Sequence, residues 1–273
     1  MHLLFIGDVV GKPGRELVKR AVPVLVRVHA VDLVIANVEN SAGGFGVTRE
    51  TGDEIAAAGV QVMTSGNHIW DKKEALPYIA DEPRLLRPIN YVAGAPGRGA
   101  TVVSTGAGQR VAVINAMGRV YMPLVDDPFA ALPRAVADAR RETPVVIVDF
   151  HAEVTSEKIA RGWHLDGQVT AVLGTHTHVQ TADEQVLPGG TAYITDVGMT
   201  GPHDSIIGVE KQAALSKFLT GLPSRFETAT GNPRLHAVLI DADPATGRAT
   251  RIARLSLSAE DLASLAPPAP APA

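Results

Sequence analysis

The chain has 273 residues, of which 45% are hydrophobic and 20% charged, with a formal net charge of −4 and no cysteine. This composition excludes wholesale disorder, and the lack of cysteine excludes disulfide scaffolds, zinc ribbons and cysteine nucleophiles. Since lysines and arginines are scattered and no apolar stretch reaches about 18 residues, we expect no duplex-DNA partner, no membrane span and a cytoplasmic location.

Apolar runs that end in loop signals alternate with segments of helical spacing. In chain order, the predicted elements are a strand at 2–6, a helix at 15–28, a strand at 32–38, a helix at 48–58, a strand at 60–64, an irregular stretch at 81–100, a hairpin of 101–104 and 110–115, a helix at 129–141, a strand at 145–150, a helix at 155–162, strands at 169–173 and 191–195, a helix at 209–220 and paired strands at 236–243 and 248–257. Pro23 should kink or interrupt the first helix, and Thr48 is a candidate N-cap.

The β-α alternation predicts an α/β fold with one mixed sheet or two stacked sheets. We expect a single domain over residues 1–265. The last residues, 266–273, are rich in proline and alanine, which predicts a disordered tail outside the fold. The sequence leaves open whether residues 81–128 cover a pocket or form an interface, and whether the chain is a homo-oligomer.

Polar side chains with metal-binding atoms follow five of the apolar runs. Because open α/β sheets bind ligands beyond the carboxyl ends of their strands, we expect these side chains to converge on one crevice. Such a set is too large for one tetrahedral ion and suits two ions roughly 3.5–4 Å apart that share a bridging carboxylate. The candidate ligands are Asp8, Glu39, Asn40, Asn67, His151, His176 and His178.

The donor types favour a transition metal over a plain magnesium site. Carboxylate, amide and imidazole donors suit manganese, iron or zinc, and the absence of thiolate disfavours a soft-metal site. Each residue alone also has an ordinary interpretation: Asp8 and Glu39 as turn residues, or His151 as a core histidine. The coincidence of all of them after strand ends indicates function.

These residues resemble the motif set of the calcineurin-like metallophosphoesterase superfamily: GNH stands at 66–68, a lone histidine at 151 and GTHTH at 174–178. Two motifs depart, because Val10 stands where the first motif usually has a histidine, and Glu39 replaces the bridging aspartate. Those departures resemble the YmdB-type branch of bacterial phosphodiesterases. Its motifs GDVVGKPGR, NxENxAGGxG, GNHxWD, DFHAE, GTHTHVQTAD and TDVGMTGP all occur between residues 7 and 202.

The resemblance implies a four-layer α/β/β/α metallophosphoesterase sandwich with two mixed β-sheets. It also implies hydrolysis of phosphodiesters, with cyclic nucleotides such as 2′,3′-cyclic AMP as the expected small substrate. Iron or manganese are the expected metals, with zinc or magnesium as alternatives. The implied ligand sets are Asp8, Glu39, Asn40 and His178 for one ion, and Glu39, Asn67, His151 and His176 for the other.

We hypothesise that the two ions hold a bridging hydroxide, which attacks phosphorus in line with the leaving oxygen, while His68 protonates that oxygen as general acid. Asp71 is a candidate to orient His68, and either Asp149 or Glu153 is a candidate to orient His151. The candidate substrate contacts lie in or near these motifs: Lys12, Arg15, Ser41, Gly43, Gly44 and His203.

Rival interpretations keep the same residues. The enzyme alternatives are a phosphomonoesterase or an RNA nuclease on the same metal centre. The alternative from another class is a metal-dependent RNA-binding regulatory module with little turnover, against which the intact GNH motif speaks, because a binder needs no general acid. With 4% aromatic residues the sequence offers no obvious base-stacking platform. The few candidates are Phe45, Trp70, Tyr91 and Tyr121.

Overall fold

The computed structural model describes residues 1–265, and the predicted tail at 266–273 lies outside the described residues. Within the described part, no helix combines the length and the apolarity that crossing a membrane requires. In chain order the elements are β1 (His2–Ile6), β2 (Asp8–Val9), α1 (Gly11–His29), β3 (Leu33–Asn37), α2 (Arg49–Ala57), β4 (Val62–Thr64), a 3₁₀ turn (Asn67–Trp70), α3 (Ala75–Asp81), β5 (Ala100–Ser104), β6 (Arg110–Met117), α4 (Pro128–Arg140), β7 (Val146–His151), α5 (Thr155–His164), β8 (Ala171–Thr175), β9 (Gln185–Val186), β10 (Ala192–Ile194), β11 (Met199–Pro202), α6 (Lys211–Thr220), β12 (Pro233–Ala242), β13 (Ala249–Ser258) and α7 (Ala259–Leu265).

Two helices show how local signals and packing combine. Helix α1 continues through Pro23 instead of being interrupted there. Its buried face, which includes Leu17 and Leu25, lies on both sides of the proline, so packing outweighs the lost backbone hydrogen bond. Thr48 caps α2 as predicted: its hydroxyl accepts from the N–H of Thr51, and the Thr51 hydroxyl accepts from the N–H of Thr48.

The strands of residues 1–265 form two mixed sheets. The first has the order β2-β11-β12-β1-β3-β4, with β13 paired to β12, and the second has the order β5-β6-β7-β8-β10-β9. The central pairs β1·β3, β3·β4, β6·β7, β7·β8 and β8·β10 are parallel. Because parallel neighbours point the same way, their carboxyl ends lie together at one edge of each sheet.

The central strands are apolar on both faces because each sheet is covered on both sides. Along β1, Leu4 and Ile6 join a core with the helices of the first sheet, whereas Leu3 and Phe5 join a core between the two sheets. A further core lies between the second sheet and α4, where Leu132 packs. The layers therefore follow the order α/β/β/α, and the predicted four-layer sandwich is confirmed.

The elements that the sequence pattern missed are short or contain strand and helix breakers. Strands β2 and β9 have two residues each, α3 has seven residues and includes Pro77, and β11 includes Gly201 and Pro202. Strand β2 pairs in parallel with β11, which places Asp8 opposite Met199. This short pairing fixes the loop that carries Asp8.

Candidate metal centre

The carboxyl ends of strands from both sheets meet at one edge of the sandwich. Hydrogen bonds and short contacts link the predicted ligands there into one cluster. The first sheet supplies those with oxygen donors, namely Asp8, Glu39, Asn40 and Asn67. The second sheet supplies those with nitrogen donors, namely His151, His176 and His178.

One half of the cluster is organised around His151, which is fully buried. Its Nε2 lies 3.0 Å from Glu39 Oε1 and 3.0 Å from Asn67 Oδ1. One donor atom each from Glu39, His151 and His176 lie within 4.8 Å of one another, a spacing that suits ligation of a single ion. These are the residues that the resemblance assigned to the second ion.

The other half is formed by Asp8, Asn40 and His178. Asn40 Nδ2 lies 3.1 Å from His178 Nε2, and the same imidazole nitrogen lies 3.9 Å from Asp8 Oδ1. His178 Nδ1 donates to the carbonyl of Ile207 at 2.8 Å. Because a carbonyl only accepts, Nδ1 carries the hydrogen and Nε2 keeps its lone pair for a cation.

Two buried oxygens of this cluster are orphaned. Asp8 Oδ1 and Asn40 Oδ1 have no hydrogen-bond partner among the residues the structure describes. Leaving a buried acceptor unpaired costs about 1–3 kcal/mol, so native structures rarely do so unless a ligand satisfies the atom. Together with the imidazoles and Glu39, these oxygens make up a set of oxygen and nitrogen donors whose number and type fit two metal ions.

Burial and mutual charge set the ionisation of the clustered side chains. Burial raises the pKa of Asp8 well above its usual range. Burial also acts to raise the pKa of Glu39, but the neighbouring His151 outweighs it and lowers that pKa to about 2. Burial acts to lower the pKa of His151, whereas Glu39 raises it to about 9. Glu39 and His151 therefore form a buried ion pair within the cluster.

The two other histidines are neutral and held in an unusual backbone conformation. Burial and the charge on His151 lower the pKa of His176 to about 3, and burial lowers the pKa of His178. Neutral imidazole is the form that ligates metals. Their φ angles are 104° and 65°, a region that costs non-glycine residues of order 1–3 kcal/mol each. Strain of this kind at both donors indicates a segment shaped for function.

His151 is oriented through a short hydrogen-bond chain. Its Nδ1 donates to Thr175 Oγ1 at 2.9 Å, and Thr175 Oγ1 donates to Asp149 Oδ1 at 2.7 Å. Asp149 therefore orients His151 through Thr175, and burial raises the pKa of Asp149 to about 6. A Cβ at Gly66 would lie 2.1 Å from the His151 ring, which explains the glycine of the GNH motif.

His68 lies beside the cluster and lines the pocket described below. Its backbone N–H donates to Glu39 Oε2 at 3.1 Å, and its ring Nδ1 lies 2.7 Å from Asp71 Oδ2. The Phe45 ring packs edge-on against it, with centroids 5.0 Å apart. Because a carboxylate only accepts, Nδ1 carries a hydrogen, which leaves Nε2 as the nitrogen that can exchange a proton with a substrate.

A pocket of about 410 Å³ lies against the cluster, within the usual range of small-molecule sites. Phe45, Ile207 and Phe226 form part of an apolar wall of this pocket. The pocket lining therefore combines candidate metal ligands with side chains suited to an apolar group. Four candidate ligands line it, namely Glu39, Asn40, His176 and His178.

The predicted substrate contacts on the 41–44 loop divide into two groups. Gly44 lines the pocket, and a Cβ at Gly43 would meet open space. Ser41 is buried, and its hydroxyl donates to Thr51 Oγ1 at 3.2 Å, so the side chain is turned toward α2. The loop thus brings glycine backbone, and not the serine hydroxyl, to the pocket.

The predicted basic contacts lie outside the pocket lining. Arg15 donates to Glu54 Oε2 and to the carbonyl of Ser41, both at 2.6 Å, so it secures the loop from behind. Lys12 is exposed on the first turn of α1. Within residues 1–265, neither of them lines the pocket.

Two further predicted residues have neighbours other than those expected. His203 Nδ1 donates to the carbonyl of Gly201 at 3.0 Å, and within the described chain His203 does not line the pocket. Glu153 Oε2 lies 3.1 Å from His176 Nε2, so it contacts that histidine and not His151.

Sequence reasoning missed Thr175, Phe226 and Asp196 as residues of the site. Thr175 and Asp196 lie inside two of the linked motifs, at or close to the ends of strands, and that position was the available signal. Phe226 lies in a segment without regular structure between α6 and β12 and carried no signal of its own.

A four-layer α/β/β/α sandwich with this donor cluster at its strand ends defines the metallophosphoesterase class. Within that class, the family model described as YmdB-like protein matches residues 4–255, and the chain belongs to that family. The resemblance read from the motifs is thereby confirmed.

Relatives are similar over nearly their whole length. The chain is 48% identical over 258 residues to the 2′,3′-cyclic-nucleotide 2′-phosphodiesterase of Bacillus subtilis strain 168, covering 94% of this chain and 97% of the relative. It also resembles the crystal structure of a hypothetical protein from Thermus thermophilus, with a TM-score of 0.89, 43% identity and coverage of 94% and 99%. A novel phosphatase from Mycoplasma pneumoniae is similar with a TM-score of 0.89, 34% identity and coverage of 94% and 93%.

Proposed function

We propose that the protein is a dinuclear metal-dependent phosphodiesterase that hydrolyses 2′,3′-cyclic nucleotides. The observation that carries the proposal is the close approach of Glu39, His151 and His176 donors beside a substrate-sized pocket, next to the orphaned oxygens of Asp8 and Asn40. The substrate class is supported by the Bacillus subtilis relative, which is a 2′,3′-cyclic-nucleotide 2′-phosphodiesterase.

The candidate ligands fall into two sets, one for each metal ion. When bound, the two cations supply a nucleophilic hydroxide at neutral pH and neutralise the phosphate oxygens. Iron or manganese fit best, because one position has mainly oxygen donors. We assign Asp8, Glu39, Asn40 and His178 to that position, and Glu39, Asn67, His151 and His176 to the other.

Glu39 and His68 work as a connected pair. Glu39 Oε1 lies beside His151, while Oε2 accepts a hydrogen bond from the backbone N–H of His68. The carboxylate therefore has a fixed orientation between the two donor sets. We assign His68 Nε2 to protonate the leaving ribose oxygen. An alkoxide is a poor leaving group, so general-acid help of about 10²–10⁴ in rate matters for this substrate. Asp71 holds the His68 ring through Nδ1.

The apolar wall of the pocket fits the nucleoside part of the substrate. Phe45 lies beside His68, and Phe226 lines the same pocket. Base–aromatic stacking is worth about 1–3 kcal/mol per base and tolerates any base. We therefore assign Phe226 and Phe45 to contact the base while the polar side receives the phosphate.

The test compares substrates on one metal-loaded preparation. Protein stripped with a chelator and reloaded with Mn²⁺ or Fe²⁺ should hydrolyse 2′,3′-cyclic AMP faster than 3′-AMP or an RNA oligomer, and the stripped protein should be inactive. Preference for 3′-AMP would favour the phosphomonoesterase, preference for RNA the nuclease, and RNA binding without turnover the regulatory module. Each of these outcomes contradicts the proposal.

The remaining expectations concern the protein's surroundings. A cytoplasmic location, the lack of a duplex-DNA partner and the oligomeric state stay predictions. Size-exclusion chromatography with light scattering would determine the last of these directly.

A further inference from the structure

Asp196 is a fully buried carboxylate just after β10 that has no role in the proposed reaction. Its Oδ2 accepts from the N–H and the hydroxyl of Thr177, at 3.0 and 2.7 Å, and its Oδ1 accepts from the N–H of Gly198 at 2.8 Å. Thr177 is the residue between His176 and His178. One carboxylate therefore holds the middle of the segment that carries two candidate metal ligands.

That segment needs to be held from outside. Both histidines have positive φ angles, which L-residues rarely adopt, so the chain does not favour this shape by itself. His178 is fixed at one end by the hydrogen bond from Nδ1 to the carbonyl of Ile207. Thr177 is fixed in the middle by both of its bonds to Asp196.

Asp196 is itself fixed by a buried ion pair. Lys158 Nζ on α5 lies 2.6 Å from Asp196 Oδ2, and both side chains are at most 1% exposed. The Lys158 side chain passes close to Gly174 of β8, where a Cβ would lie 3.2 Å from Lys158 Cδ and 1.7 Å from the carbonyl oxygen of Thr195. A buried ion pair is poor evidence for a purely stabilising role, because an apolar pair of similar volume often serves stability equally well.

We propose that Asp196, held by Lys158, is a positioning residue that gives the His176–Thr177–His178 segment its metal-binding shape. The proposal rests on the proposed function in that both histidines are taken as metal ligands. Asp196 acts through Thr177 and contacts neither the substrate nor the ions.

The sharpest test changes one hydroxyl. Thr177→Val removes the bond from the side chain to Asp196 at similar volume, whereas Thr177→Ser keeps it. The affinity of chelator-stripped protein for Mn²⁺, measured by titration calorimetry without substrate, should fall about tenfold in Thr177→Val, since losing a residue that orients ligands costs 10–100-fold in metal affinity. Thr177→Ser should bind Mn²⁺ as the wild type does.

A double variant removes both residues of the buried ion pair and so leaves no buried unpaired charge. Lys158→Met with Asp196→Leu should fold, yet bind Mn²⁺ about 10–100-fold more weakly than the wild type. The matched control is Asp166→Ala, because Asp166 accepts from the N–H of Gly189 at 2.7 Å beyond the opposite end of α5. The control should lower the melting temperature of the metal-free protein and leave Mn²⁺ affinity unchanged.

The inference is overturned if Thr177→Val and the double variant bind Mn²⁺ as the wild type does while only their melting temperatures fall. Because the titration contains no substrate, it separates this inference from the proposed function. A wild type that binds Mn²⁺ but hydrolyses no cyclic nucleotide would contradict the function alone. An active wild type with an undiminished Thr177→Val affinity would contradict the inference alone.

Discussion

The two sheets contribute different chemistry to the same edge of the molecule. The first sheet supplies oxygen donors, with Asp8 and Glu39 fully buried, and the second supplies imidazoles. Burial favours the protonated, neutral form of Asp8 and the deprotonated, neutral form of His176. The comparison teaches that neither sheet brings the whole donor set alone: the first brings carboxylate and amide oxygens, and the second brings imidazoles, two of which are neutral and lie on a strained segment.

Removing the carboxylate that touches both halves should have the largest effect. We expect Glu39→Gln to lose bound metal and to lower the hydrolysis of 2′,3′-cyclic AMP to background, because the bridging charge is lost while the side-chain volume is kept. Metal analysis and initial rates provide the measurement. Glu54→Gln is the control, since Glu54 pairs with Arg15 outside the cluster and should keep its metal. Full metal content in Glu39→Gln would contradict the assignment.

His68 follows β4 of the first sheet and is proposed as a proton donor, not as a metal ligand. His68→Ala should therefore lower kcat by about 10²–10⁴ with metal content near normal, which separates the proton donor from the oxygen donors beside it. Asp71→Asn should lower kcat less, because it only loosens the His68 ring. Loss of metal from His68→Ala would show that the assigned role is wrong.

The apolar residues of the pocket are expected to affect substrate binding more than turnover. Phe226→Ala should raise KM for 2′,3′-cyclic AMP about tenfold and leave kcat nearly unchanged, because it removes one stacking surface and no catalytic group. Steady-state kinetics separate the two constants. Phe218→Ala is the control, since Phe218 is 80% exposed on α6 and lines a neighbouring pocket instead of this one. Equal KM values for the two variants would contradict the stacking role.

The smallest effect concerns a histidine of the first sheet away from the metal ligands. Burial, and then His203 and Arg234, lower the pKa of His236 to about 4, against about 6.5 in the unfolded chain. His236 is thus neutral in the fold, and its contribution to stability is present above pH 6.5 and is lost as the pH falls toward 4. Urea unfolding of metal-free protein between pH 7.5 and 5 should show a shallower pH dependence in His236→Asn. If the wild type and His236→Asn show the same pH dependence of the free energy of unfolding, His236 is not its source.

The candidate ligands could be selected from the sequence because each one stands where an apolar run stops. Strand ends are visible in a pattern of residues, and parallel strands bring those ends together, so Asp8, Glu39 and His151 could be assigned to one crevice. The alternation of strands and helices predicted an α/β fold with one mixed sheet or two stacked sheets. The four layers were implied only by the resemblance to the family.

Side-chain direction and contacts between distant segments could not be predicted in this way. Ser41 and Arg15 are close to the metal motifs in sequence, but packing against α2 turns both away from the pocket. Phe226 and the contact between Asp196 and Thr177 depend on how separate segments meet, which no local period encodes. Glu153 lies two residues after His151, yet the turn into α5 carries it to His176.

The position of β12 has a consequence for how the protein is made. All the assigned ligands leave the ribosome before residues 233–242, yet β12 pairs with β1 along His2–Ile6 and with β13 on its other side. Until then, the nascent sheet of β1, β3 and β4 has an open edge next to β1, which is a ready template for wrong pairing. Strand β12, which is synthesised after all the candidate ligands, thus completes the sheet beside the candidate metal centre. Chains that stall before β12 should therefore aggregate before they can retain metal.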